Sequence, residues 1–229
     1  MSIKVLKAGF QDLIQDMGRF GNTHMGISPS GAADNISLRI GNLLLDNDIN
    51  DPGIEITLFG GSYYFNKDAI IILSGSDFSS TIDGKIISFY KPVSVKTGQT
   101  LSISQTTDGA RCYLCIKGGF QVPPTLNSSS THILSKIGGF DGRSLKKKDE
   151  IQYSSSNNQN VNKNKNFHID NDRSVLRVTE GLQYDLFDSS NKNLFFNEKF
   201  AVTHNSNRMG LRITGPNIYC KQSKDILTE

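Results

Sequence analysis

A change of hydrophobic period near residue 54 decides the fold class. From there onward the chain runs through "GIEITLFG", "SYYFN", "AIIILSG", "SSTIDGKIISFYK", "TLSISQ" and "ARCYLCIKGG", short β-branched and aromatic segments punctuated by Gly, Asp and Pro. Side chains of this kind fit a pleated, half-buried surface. In "TLSISQ", Leu101 and Ile103 alternate with Ser102 and Ser104, which gives one face to a core and the other to water. Asp83-Gly84, between two strand patterns, marks a tight hairpin. Many short strands at this spacing predict a mainly β fold of barrel or sandwich type rather than βαβ units.

Ahead of that region "SIKVLKA" reads as a strand, and one stretch has a helical period. In "DNISLRIGNLLLDN", Ile36, Ile40, Leu43 and Leu44 fall at i, i+4, i+7 and i+8, with Asp34 placed as the N-cap, so the spacing predicts one clear α-helix at about 34–46. Between strand and helix lies "QDMGRFGNTHMGISPSGAADN", residues 15–35, rich in glycine and poor in apolar pairs. Loops longer than about 12–15 residues are usually functional or disordered.

Composition bounds the rest. At 229 residues, 36% apolar and 21% charged, the chain can build a core and lies far from the disordered class. Its 25 basic residues are dispersed among 22 acidic ones, a balance that predicts no nucleic-acid partner. "MSIKVLKAGFQ" lacks a signal-peptide pattern, and the longest apolar run, "AIIIL", is too short to span a bilayer. Three cysteines do not make a disulfide framework, so a cytoplasmic protein with no membrane partner is expected. At 154–172 the composition shifts to an Asn/Lys/Ser-rich stretch that reads as a linker or mobile loop. It separates an N-terminal domain, 1–153, from a segment, 173–229, in which "SVLRVTEG" and "KFAVTHNSNRMGLRITGP" read as strands and 183–195 as a short helix.

Few local motifs carry chemistry. Cys112 and Cys115 sit three apart in a strand pattern, where alternate residues face opposite ways, so their sulfurs diverge and no metal site is expected. His24 reads as a hydrogen-bonding loop residue, and "LKKKDE" as a solvated turn. The glycine pairs Gly60-Gly61, Gly118-Gly119 and Gly138-Gly139 punctuate strands and permit close backbone approach. Arg19, Arg143, Arg208 and Arg212 lie in or beside glycine-bounded loops, and guanidinium forks suit carboxylate or phosphate. No P-loop, dinucleotide fingerprint, H-E-x-x-H or G-x-S-x-G pattern occurs.

The wording of the 15–35 loop resembles the opening of the urea amidolyase-related family, also called the biotin-dependent carboxyltransferase or allophanate hydrolase subunit 2 family. "GIEITLFGG", "LSGSDFS", "YLCIKGGFQVPPTLNSSST", "GGFDGRSLKKKDEI", "LRVTEGLQYDLF" and "NSNRMGLRITGP" follow in the family's order, so the similarity spans nearly the whole chain apart from the Asn/Lys-rich insert. The resemblance implies two β-barrel-like domains, the second cyclophilin-like and here incomplete, because the family pattern continues for most of another hundred residues. It implies the C-type subunit of an ATP-dependent 5-oxoprolinase, opening 5-oxoproline to glutamate with a B-type (kinase-inhibitor-like, allophanate hydrolase subunit 1-like) and an A-type subunit. ATP, with Mg, would act at the complex, and the isolated chain would be inactive. Two alternatives stay open: the carboxyltransferase component of a biotin-dependent, urea carboxylase-like system, and a non-catalytic regulator that antagonises a kinase inhibitor.

Carried over by position, Asp16, Arg19, Arg143 and Arg208 are the expected catalytic residues, with Asp16 orienting Arg19. Ser30, Gly31, Gly118, Gly119, Gly138, Gly139 and Arg212 are the expected substrate or anion contacts, with backbone donors offered from Ser28 to Ala32. The family writes an arginine where this chain has Ser129, which removes one expected anion contact.

Overall fold

The period-two segments become strands because each has a neighbour to pair with. The computed structural model describes residues 1–154, 167, 175–206, 208 and 210–220. In chain order they form β1 (Ser2–Lys7), β2 (Gln11–Gln15), α1 (Asn35–Leu44), β3 (Gly53–Thr57), β4 (Ser62–Phe65), β5 (Ala69–Asp77), β6 (Ser80–Ile82), β7 (Lys85–Ile86), β8 (Val93–Val95), β9 (Thr100–Ile103), β10 (Asp108–Ile116), β11 (Glu150–Gln152), α2 (Ser189–Asn197), β12 (Ala201–Val202) and β13 (Ile213–Thr214). The chain divides into a first unit, residues 1–169, and a second, residues 170–229. Apart from residues 154 and 167, the expected linker lies outside the described residues.

The first unit holds a six-stranded sheet in the order β11-β1-β4-β9-β6-β7 and a five-stranded sheet in the order β2-β3-β10-β5-β8. They share one core, to which Ile3, Val5, Tyr63, Phe65 and Leu101 come from the first sheet and Ile54, Ile56, Ile71, Leu73 and Leu114 from the second. The fold is mainly β, and the expected barrel is open: among the described residues neither sheet closes on itself. The outer edge of β2 meets loops instead of a further strand. Thr131 donates its amide (3.0 Å) and its hydroxyl (2.9 Å) to the Ile14 carbonyl, and the Leu145 amide donates to the Asp12 carbonyl at 2.9 Å. Segments 125–145 thus cover an edge that would otherwise be open to pairing.

"AIIIL" is continuously apolar because β5 is buried on both faces. Ile71 and Leu73 enter the core between the sheets, whereas Ile70 and Ile72 join Tyr113, Cys115, Leu38, Leu44 and Leu45 in a second cluster under α1. Asp34 caps α1 as expected, accepting from the Ser37 amide at 3.0 Å. The buried face of the helix corrects the predicted stripe. Ile36 is 63% and Leu43 55% exposed, while Ser37, Leu38, Gly41, Asn42 and Leu44 turn inward. Gly41 sets this rotation: a Cβ there would come 2.7 Å from Ser74 Oγ and 2.8 Å from Cys115 Sγ, so the helix can approach the sheet this closely only along its glycine. Cys112 faces the inter-sheet core and Cys115 the helix, as their spacing required. Burial raises the pKa of both thiols, that of Cys115 to about 12.

The second unit contains a 3-10 turn (Tyr184–Leu186), α2 and the antiparallel pair β12–β13. The helix expected at 183–195 begins later, at Ser189, where the Asp188 carboxylate accepts from the Asn191 amide at 2.8 Å. "SVLRVTEG" forms no strand among the described residues: Leu176 is 87% exposed there and no neighbouring strand satisfies its backbone. No described helix is long and apolar enough to cross a membrane.

Candidate functional site

The strand β2 delivers its last residue, Gln15, and then Asp16 into a buried polar junction. Asp16 Oδ1 accepts from the Gly18 amide (2.7 Å), Ser128 Oγ (2.7 Å) and Ser130 Oγ (2.5 Å), and Oδ2 accepts from the Ser129 amide (2.5 Å). A carboxylate that is 8% exposed is tolerable only with donors of this number. Arg19, 1% exposed, answers from the other side. Its Nη2 donates to the Ser130 carbonyl, Nη1 to Ser30 Oγ at 3.1 Å and Nε to the Thr125 carbonyl at 3.4 Å. Burial lowers its pKa and the neighbouring Asp16 raises it, with burial the larger effect.

The loop closes on itself at Gly18 and Gly31. A Cβ on Gly31 (φ +89°) would stand 2.8 Å from the Met17 carbonyl oxygen, and one on Gly18 (φ +100°) 2.8 Å from that of Pro29. Gly138 presses on the same junction, since a Cβ there would lie 2.5 Å from Arg19 Nη2, and the Gly139 amide donates to the Ser129 carbonyl at 3.0 Å. The structure therefore brings together Asp16, Arg19, Ser30, Gly31, Gly138 and Gly139, and adds Ser128, Ser129 and Ser130. Ser129, the position where the resemblance implies arginine, is buried and donates to the Val122 carbonyl at 2.9 Å.

The other expected residues stand elsewhere. Gly118 and Gly119 follow β10 beside the 46–51 loop: the Gly118 amide donates to Asn47 Oδ1 (2.9 Å), the Gly119 amide to the Ile116 carbonyl (3.0 Å), and a Cβ on Gly119 would meet the Asp51 carboxylate at 3.1 Å. Arg143 holds Asp149 with both Nη atoms (2.6 and 3.0 Å) and lies 5.0 Å from the Phe140 ring centroid. Burial alone would raise the Asp149 pKa, yet the Arg143 hydrogen bonds and the Lys146 amide carry it below the ordinary value. Arg208 and Arg212 belong to the second unit. Burial lowers the Arg208 pKa, and Arg212 is exposed. His24 lies exposed in a 3-10 turn, Thr23–Met25.

A second polar group was missed by sequence reasoning. Glu55, fully buried in β3, accepts from Tyr113 Oη and the Ala33 amide, each at 2.9 Å, with Arg111 Nε 3.5 Å away. The Asp34 amide donates to Tyr113 Oη at 2.8 Å. Glu55 thus holds the exit of the 15–35 loop as Asp16 holds its entry. An acid between Ile54 and Ile56 in an otherwise apolar strand is the signal that could have found it, because a buried carboxylate needs partners. Among the described residues no three His, Cys, Asp or Glu side chains gather as a metal site.

Residues 25–229 match the family described as carboxyltransferase domain, subdomain A and B. The chain belongs to this carboxyltransferase family. It is 33% identical over 226 residues to the C-type subunit of the Haemophilus influenzae 5-oxoprolinase, a match that takes in 99% of this chain and 72% of that relative, leaving 28% of the relative outside it. It is 36% identical over 228 residues to the urea amidolyase of Saccharomyces cerevisiae, spanning 94% of this chain but 12% of that much longer protein. In fold it is similar to the Kluyveromyces lactis urea carboxylase, with a TM-score of 0.83, 32% identity, and coverage of 97% of this chain and 21% of that one. Within this member of the family the two clamps, Asp16 on Ser128–Ser130 and Glu55 on Ala33 and Tyr113, fix both ends of the long loop.

Proposed function

We propose that this carboxyltransferase-family chain is the C-type subunit of an ATP-dependent 5-oxoprolinase, acting in the cytoplasm with B-type and A-type subunits to open 5-oxoproline to glutamate. The observation that carries this reading is coverage: nearly the whole chain aligns with the C-type subunit of a 5-oxoprolinase and takes up most of it, whereas it corresponds to a small part of a urea amidolyase. Opening the lactam breaks the ring C–N bond and adds water across it. An unstrained amide is a poor electrophile, and ATP, as its Mg complex, would supply a leaving group on the lactam oxygen.

The first unit does not fit the role of holding the nucleotide phosphates. Its expected anion donors are directed at the chain's own oxygens: Arg19 at Ser130, Ser30 and Thr125, Arg143 at Asp149, and the Gly118, Gly119 and Gly139 amides at Asn47, Ile116 and Ser129. In this reading Asp16 and Arg19 are positioning residues that hold the 15–35 loop rigid against segments 125–131 and 137–139. Arg143 steadies the turn before β11. The phosphates are assigned to the partner subunits.

The test mixes the purified chain with B-type and A-type subunits and follows glutamate and ADP release from 5-oxoproline. Equal release of both, dependent on every component, is expected. No turnover in a mixture where the C-type subunit of Haemophilus influenzae is active would overturn the reading. A second reading, the carboxyltransferase component of a biotin-dependent, urea carboxylase-like system, is favoured by the likeness in fold to the Kluyveromyces lactis enzyme. It predicts carboxyl transfer from a carboxylated biotin carrier in the absence of 5-oxoproline.

A further inference from the structure

One arginine of the first unit is not engaged by either clamp. Arg111 on β10 lies opposite Thr57 of β3, and Thr57 lies opposite Gln11 of β2, so the three side chains form a row on the face of the five-stranded sheet that carries Glu55 and Tyr113. Arg19 and Arg143 direct their Nη atoms at the chain's own oxygens. Arg111 does not. Glu55 Oε1 stands 3.5 Å from its Nε, that buried nitrogen donates no hydrogen bond among the described residues, and the side chain is 27% exposed. Beside it, Thr57 is buried and its Oγ1 has no hydrogen-bond partner among the described residues. A buried hydroxyl without a partner is destabilising. Next to a guanidinium that opens to the surface, it marks a place where a molecule from outside can supply the missing acceptor.

The local charge selects the ligand. Glu55 is fixed by Tyr113 Oη and the Ala33 amide on its Oε2, and its Oε1 faces the Nε edge of the guanidinium, which leaves the Nη edge to a ligand. A planar carboxylate matches a guanidinium edge through two parallel hydrogen bonds and accepts from a hydroxyl as well. A phosphate, with its second charge, would be opposed by the buried Glu55 carboxylate.

We infer that Arg111 and Thr57 bind the carboxylate of a small organic acid, and that this acid is 5-oxoproline, an identification of the ligand that rests on the 5-oxoprolinase reading. Arg111 takes the carboxylate and Thr57 donates its hydroxyl. Glu55 is a positioning residue: it sets the plane of the guanidinium, and its hydrogen bond from the Ala33 amide brings the exit of the 15–35 loop beside the site.

The test has a binding arm and a turnover arm. In the first, calorimetry follows binding of 5-oxoproline to the full 229-residue chain, with 2-pyrrolidinone, the same lactam without its carboxylate, as the control. 2-Pyrrolidinone should bind at least about tenfold more weakly. Arg111→Lys, which keeps a cation beside Glu55 but loses the fork, should weaken 5-oxoproline at least about tenfold and leave 2-pyrrolidinone unchanged, whereas a structural role would weaken both alike. Thr57→Val should weaken 5-oxoproline about threefold without lowering the thermal midpoint, since it removes an unpaired hydroxyl at nearly constant volume. In the second arm, the complex reconstituted with B-type and A-type subunits should show the same losses as a raised KM for 5-oxoproline, with kcat little changed. A parental KM for both variants in an active complex would overturn the site and leave the reaction standing. An inactive complex whose chain still binds 5-oxoproline, with the affinity lost in Arg111→Lys, would overturn the reaction and leave the site standing. An inactive complex together with no binding to the chain would overturn both.

Discussion

The two units of this chain use similar residues to opposite effect. In the first, Ile54, Ile56, Ile71 and Leu114 vanish between two sheets, and its loops are tied down by buried carboxylates. In the second, Leu176, Val178, Val202, Leu211 and Ile213 are equally apolar and all remain exposed. The contrast teaches that strand-forming composition makes a core only where a second layer exists to receive it. The first unit has a core of its own, and the described apolar side chains of the second stay exposed.

If the first unit is held as described, its polar junction should dominate stability. Asp16→Ala leaves the donors from Gly18, Ser128, Ser129 and Ser130 without their acceptor in a buried site. A loss of about 3–5 kcal/mol in urea unfolding is expected. A loss under about 1 kcal/mol would mean that the junction is not the scaffold's anchor. Gly138→Ala should come next, at about 2–4 kcal/mol, because the added methyl meets the Arg19 guanidinium at a position with φ +66°. Its thermal midpoint, compared with that of Gly84→Ala, where nothing lies within 4 Å, separates crowding from backbone strain.

Asp12 sharpens the comparison through pH. Burial raises its pKa, against the opposing hydrogen bonds from the Gly9 amide and Tyr63 Oη. A carboxyl whose folded pKa lies above its unfolded value contributes stability below the unfolded value, and that contribution is lost as pH rises through the folded one. Asp12→Asn should therefore gain stability relative to the parent as pH climbs out of the ordinary carboxylate range. Parallel pH profiles in chemical denaturation would contradict this. The smallest effect belongs to the second unit: Leu176→Ser should change unfolding by less than about 0.5 kcal/mol, as for any surface substitution.

What the sequence disclosed follows the reach of each interaction. The strands of the first unit were legible because a two-residue period and β-branched side chains are local signals, and so was the Asp34 cap. The buried face of α1 was not, because it depends on Gly41 meeting Ser74 and Cys115 across the fold, and Ile36 and Leu43 are more apolar than Ser37, Gly41 and Asn42, which turn inward. Asp16 and Arg19 were recognisable as a pair with work to do. Their partners are the Ser128–Ser130 hydroxyls and backbone, 112 residues away for Ser128, and no spacing rule reaches that far. "SVLRVTEG" has the composition of a strand but lacks a described neighbour to pair with, and pairing decides the outcome.

The contrast between a first unit with a packed core and a second whose apolar side chains stay exposed is tested most directly by native-state hydrogen exchange on the chain alone. Amides of β3, β5 and β10 should exchange only through global unfolding, while those of α2, β12 and β13 exchange with little protection. Equal protection in both units of the isolated, monomeric chain would contradict the account.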